Sequence, residues 1–345
     1  MTELEERETG GEAIEPPVSR SLLVRVGTYL LRRPESTVAI AALALAVYFT
    51  LANEFFLTAA NIRVIANVLI PTAILATGQT MLLISGEIDL SQGAVYFMTP
   101  FLAHFAVEAG IPLPLAVMLA LLGAGVIGLI NGGITLAVGI PSFIVTLGML
   151  LIVQGVTLNL SDGFPARAPS VGLDVDIFGG APFSGLAWVI LFVAFLHIVL
   201  TKTRWGVYTI AIGDNRLGAR EAGVPAYRIT MRNFIVAAML AGFAGIIEGV
   251  RIGSFDPGAG GAAGLRVFMA VAAAVIGGTV LTGGYGTIIG AFLGALVLAV
   301  LQDGFNIMGV SAFTFGIVLG AAIIVAMVVN ALASKARIRS QSVKL

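Results

Sequence analysis

The sequence predicts an all-α membrane protein: a polytopic bundle of about ten transmembrane helices with both termini cytoplasmic. Three observations carry that expectation. Of 345 residues, 58% are hydrophobic and 11% charged, against roughly 25% charged in an ordinary soluble domain, so too few polar groups remain to cover a water-facing surface. Uncharged runs are long, and residues 109–161 hold no Asp, Glu, Lys or Arg. The basic residues are also unevenly distributed, and that asymmetry sets an orientation.

Along the chain, residues 1–20 (MTELEERETGGEAIEPPVSR) are acidic and polar and predict a disordered cytoplasmic tail. They lack the basic start and apolar core of a secretory signal. Residues 21–34 are too short to span. Leu22, Val26, Tyr29 and Leu30 share one helical face, Arg25 and Arg32 another, and Pro34 closes the segment. It reads either as an interfacial amphipathic helix or as a charged lead-in.

Residues 35–333 form the transmembrane domain. Ten apolar runs follow, at 36–54, 62–85, 92–109, 113–137, 141–160, 185–202, 231–252, 265–282, 286–304 and 311–332. With the N-terminus inside, all nineteen basic residues except Arg63, Arg167, Arg251 and Arg266 fall on the cytoplasmic side, as positive-inside orientation requires. Residues 203–230 are then the largest cytoplasmic loop, and 334–345 a basic cytoplasmic tail. Gly, Pro and Asp in 161–184 and in SFDPGAGG (254–261) mark turns on the other face. Two cytoplasmic turns, SGEIDLSQGAV (85–95) and TGGYGTIIGAF (282–292), resemble each other, which makes an internal duplication plausible. Pairs spaced GxxxG (Gly128/Gly132, Gly245/Gly249, Gly286/Gly290, Gly290/Gly294) predict close helix contacts.

The loop at 203–230 carries its own helix signals. Asp214 or Asn215 supplies an N-cap oxygen, Arg216 to Ala222 form two turns, Gly223 takes the left-handed position, and Pro225 prevents resumption. So short a helix is marginal alone. Arg216 and Arg220, one turn apart, repel unless a partner compensates; an acidic or carbonyl-lined docking protein and anionic lipid both would.

Charges at membrane depth are candidate functional residues. Glu248 can pair with Arg251 three residues on, either as a structural ion pair or as part of a solute path. Asp89 with Gln92 fits a capping box opening the third span. Glu87 is given no such role and is assigned to the inner mouth or to partner contact. Gln79, Ser91 and Asn306 join Glu87, Asp89 and Glu248 as path or gate candidates, alongside Asn131, Asn159, Gln302 and Asp303 as interhelical polar positions. His104 and His197 are isolated, so no metal site is expected. Zero net charge gives no sign of a nucleic-acid partner, and no lysine follows a glycine, so there is no phosphate-binding P-loop. Energy must come from a partner or an ion gradient.

The segments GEIDLSQGA (86–94), IPSFIVTLGMLL (140–151), TRWGVYTIAIGDN (203–215) with AREAGV (219–224), and AAVIGGTVLTGGYGTIIGA (273–291) resemble, in this order, the permease subunits of bacterial ABC importers of the ribose/xylose monosaccharide group. The resemblance runs from residue 36 to 332. It implies that Gly213 to Val224, including Asp214, Asn215, Arg216, Arg220, Glu221 and Gly223, form the helix that couples to a cytoplasmic ATPase. Asp214, where the family usually has glycine, and Glu221 depart from its pattern and suggest a tailored ATPase. The resemblance further implies a non-enzymatic chain binding no cofactor itself, with ATP and Mg used by the ATPase subunit. It implies an extracytoplasmic sugar-binding protein, a second permease chain (a homodimer) and the bacterial inner membrane. The alternatives are an ion-gradient transporter using Glu248 or Glu87, or an ABC permease for nucleosides or branched-chain amino acids.

Overall fold

The structure is a computed structural model that describes residues 34–328 apart from 171, 182, 259, 312–313, 323 and 326–327. The expected acidic tail, the segment at 21–33 and the basic tail at 334–345 lie outside the described residues. The helices are α1 (Pro34–Ala52), α2 (Ala59–Ile84), α3 (Gln92–Glu108), α4 (Leu113–Val138), α5 (Ser142–Leu160), α6 (Ser184–Lys202), α7 (Arg204–Asp214), α8 (Arg216–Glu221), α9 (Ala226–Ile252), α10 (Ala262–Ile276) and α11 (Ile288–Ile307). Residues 314–322 are also helical. A small antiparallel pair joins β1 (Ala166–Arg167) to β2 (Ser254–Phe255), with Ala166 opposite Phe255.

Seven helices, α1, α2, α4, α5, α6, α9 and α11, are long and apolar enough to cross a membrane. Each falls on a predicted run. The runs at 92–109 and 265–282 give shorter helices, seventeen residues in α3 and fifteen in α10. The second stops early because Gly278, Gly283 and Gly284 adopt left-handed backbone, where glycine alone is unstrained. The predicted loop at 203–230 is mostly helix. It holds α7 and α8, and α9 begins five residues before the predicted span.

α9 is the centre of the bundle and packs on α4, α2 and α3. Two thirds of its apolar window is buried (67%), against 17% for α1. The glycine pairs explain how backbones come so close. A Cβ on Gly128 of α4 would strike the backbone of Phe234 and Ile235, and one on Gly245 would strike the carbonyl of Tyr96. Gly290 and Gly294 of α11 meet α10 at Gly277 and Ala273 in the same way. α4 and α5 show the opposite face: Leu122, Val126, Leu151 and Ile152 are exposed, an apolar surface that suits lipid or a second chain. The bundle thus has an α8 end and a β end, the latter carrying β1 and β2.

Candidate functional site

At the α8 end, Asn215 rather than Asp214 caps α8, its Oδ1 accepting from the Gly218 amide at 2.9 Å. Asp214 is the last residue of α7. The helix closes as the sequence predicts: Gly223 is left-handed (φ 81°), with Gly223 N–H donating to Arg220 and Val224 N–H to Ala219, the paired closure that satisfies terminal carbonyls. Ala219 packs on Ile212 and Ile229, while Arg216, Leu217, Arg220 and Glu221 are exposed. An open groove of about 620 Å³ beside α8 is lined by Arg216, Arg220 and Arg228.

α7 and α8 rest on the two look-alike turns, which meet each other. A Cβ on Gly213 would collide with the Ile84 carbonyl and the Gly284 amide, and one on Gly283 would lie 2.8 Å from the Gly213 carbonyl and 3.1 Å from Gly86 Cα. Gly284 N–H donates to Ile84 at 2.9 Å. Three backbones therefore touch with no side chain between them. Above this junction Arg216 forms an ion pair with Glu87. The charge expected to face a partner is compensated inside the chain, while among the described residues Arg220 has no ion pair.

Glu87 opens a strip, residues 87–91, with no regular helix in its first three residues, buried against α5. Ile88 N–H donates to Ser142 Oγ at 3.1 Å and Leu90 N–H to Thr146 Oγ1 at 3.0 Å. Non-helical backbone inside a membrane bundle needs such partners. Asp89 is fully buried. Its Oδ1 accepts from the Ser91 amide at 2.8 Å and the Ser91 hydroxyl at 2.6 Å, and Asn131 Nδ2 donates to Ser91 Oγ at 2.8 Å. This replaces the expected capping box. Ser91, not Asp89, stands at the start of α3, without a side-chain cap, and Asp89 lies two residues ahead of it in the strip.

Toward the β end, Glu248 does pair with Arg251, at 2.8 Å. Arg266 of α10 approaches the other carboxylate oxygen at 3.9 Å and lies 5.2 Å over the Tyr96 ring.

Residues 61–327 match the model of a family described as branched-chain amino acid transport system / permease component. The chain is 37% identical over 324 residues to the xylose/arabinose import permease protein XylH of Sulfolobus acidocaldarius, covering 91% of this chain and 89% of that one. It is 34% identical to the ribose import permease protein RbsC of Escherichia coli (87% and 94% covered). It is 32% identical to the D-allose transport system permease protein AlsC of the same species (87% and 92%). No solved structure matches. This chain belongs to that permease family.

Within the permease, the candidate residues fall into separate groups. Gly213, Asn215, Arg216 and Glu87 lie at the α8 end, Asp89 and Ser91 follow Glu87 in the buried strip, and Glu248 stands apart near the β end. Gln79 is fully buried with neither amide atom partnered among the described residues. Asn306 is exposed near the end of α11, and its backbone carbonyl accepts from Gly309. Ser142 and Thr146 were not singled out by the sequence. The signal was there, two hydroxyls one turn apart in an apolar run, but the strip they serve lies 54 and 56 residues away. Asn233 was missed too. It accepts from Trp205 Nε1 at 2.7 Å and donates to the Met81 carbonyl at 3.2 Å, tying α7 to α9 and α2.

Proposed function

We propose that this chain is the membrane-spanning subunit of an ATP-driven importer of a monosaccharide, and that α8 passes the movement of a separate ATPase to the membrane helices. One observation carries the coupling role: a short helix, closed at both ends and exposed at Arg216, Leu217, Arg220 and Glu221, is joined to the membrane interior by the glycine backbones beside it and by the Arg216–Glu87 pair. The family and the sugar permeases among its relatives support the solute class.

In this reading both termini and α8 are cytoplasmic, in the bacterial inner membrane. α3, α10 and the helix beginning at 314 complete ten passes. The arginine-lined groove beside α8 receives an acidic or carbonyl-rich surface of the ATPase, which binds ATP and Mg. A sugar-binding protein delivers solute at the β end, and a second copy of the chain covers the apolar face of α4 and α5. The chain performs no chemistry of its own.

An ion pair with one half-exposed partner contributes at most about 1 kcal/mol, so the Arg216–Glu87 pair matters for the direction of force rather than for stability. Arg216→Glu and Glu87→Arg, tested singly in proteoliposomes with the ATPase and binding protein, are expected to cut sugar uptake about tenfold while ATP hydrolysis continues. The double exchange is expected to restore most uptake. Full uptake in both single variants would defeat the proposal.

A further inference from the structure

Near the β end, α2, α3, α9, α10, α11 and the β2 turn line an open cavity of about 450 Å³, within the size range of small-molecule sites. The short helices α3 and α10 meet there by their first turns. Tyr96 comes from α3 and Arg266 from α10, and Gly93 lies against the backbone of Ala263. Neither helix start has a side-chain cap. Short or interrupted helices are where transporters hold solute between their two access states.

The charged residues that line this cavity, Glu248, Asp256, Arg251 and Arg266, sum to zero. Glu248 is held by Arg251 and Arg266, and Asp256 accepts from the Gly258 amide at 2.6 Å. The unmet groups are neutral. The hydroxyl of Tyr96, a residue 3% exposed, and the amide oxygen of Gln302 have no hydrogen-bond partner among the described residues, and both residues line the cavity. Buried polar groups without partners are costly and rare. A charged solute would meet no net opposite charge in this lining. A sugar hydroxyl needs an acceptor and a donor, and Gln302 and Tyr96 supply them.

We propose that this cavity is a transient solute site selecting an uncharged polyhydroxy molecule of monosaccharide size. The inference rests on the importer reading above and places its solute.

The chain has no cysteine, so Val68→Cys, at a wall residue with no part in the proposed hydrogen bonding, gives it a single thiol in the cavity wall. In proteoliposomes containing the full importer, labelling of that thiol by a small methanethiosulfonate reagent is followed by mass spectrometry with D-ribose, D-xylose or, as osmotic control, trehalose. A pentose is expected to slow labelling about threefold or more, and to leave a thiol at exposed Phe164 (Phe164→Cys) unaffected. Tyr96→Phe, which removes one oxygen, is expected to raise the KM for pentose uptake about tenfold while the loaded binding protein still stimulates ATP hydrolysis. If the unaltered importer takes up a pentose that neither protects the thiol of Val68→Cys nor responds to Tyr96→Phe, this inference fails and the importer reading stands. If the unaltered importer takes up leucine or a nucleoside and no monosaccharide, both fail.

Discussion

At Asp89 two donors from Ser91 converge on one buried carboxylate oxygen, and Asn131 closes the group through the Ser91 hydroxyl. Removing that acceptor strands buried donors at about 1–3 kcal/mol each. Asp89→Leu should therefore lower the thermal unfolding temperature in detergent sharply, and Asp89→Asn, which keeps a carbonyl oxygen, should lower it less; equal melting of the two variants would contradict this network. Gln79 gives the reverse case. Its amide has no partner among the described residues, so Gln79→Leu should leave melting unchanged or slightly raised, since no bond is lost and a desolvation cost is relieved. A clear fall in melting temperature would reveal a hidden partner. Sequence spacing alone read Asp89 as a helix cap. The spacing was right for one, but Ser142, Thr146 and Asn131, which decide the local backbone, are too far along the chain for any local pattern to register.

The elements that were legible are those whose signals are local. Asn215, Gly223 and Pro225 mark the limits of α8 within ten residues, and the structure uses the first two as caps. α7 was missed because residues 203–230 read as one charged loop, although Trp205, Tyr208 and Ile212 recur at helical spacing on its packed face. Asn215→Ala should loosen α8 by about 1 kcal/mol, seen as roughly fivefold faster amide exchange across residues 216–222, whereas Asn215→Asp should retain protection. Gly213→Ala tests the junction more severely. The added methyl meets the Ile84 and Gly284 backbones, which cannot move aside as a side chain can, so α7 must separate from the turns. Uptake should be lost even where the protein still reaches the membrane, as measured by transport normalised to the amount inserted.

Over the whole molecule, hydropathy located every helix of the bundle that exceeds eighteen residues, because lipid-facing composition is a property of each segment by itself. It could not find the buried strip at 87–91 or the polar cavity, which exist only where distant segments meet. The sidedness inferred from basic residues is open to direct measurement. Leu217 and Phe164 are both well exposed, at opposite ends of the bundle. With a membrane-impermeant thiol reagent, Phe164→Cys should label in intact cells, and Leu217→Cys only in inverted vesicles; the opposite pattern would turn the whole arrangement over. The hydrogen bonds from Ile88 and Leu90 to Ser142 and Thr146 have a mechanical consequence at this scale. If α5 slid by one turn either way, a single hydroxyl would remain in step with the strip, since the next residue along the same face is Leu150. The strip and α5 are thus indexed to one position like a key in its ward. Any stroke delivered through Glu87 must carry them as a rigid pair, leaving the opening and closing to the surfaces where that pair meets its neighbours.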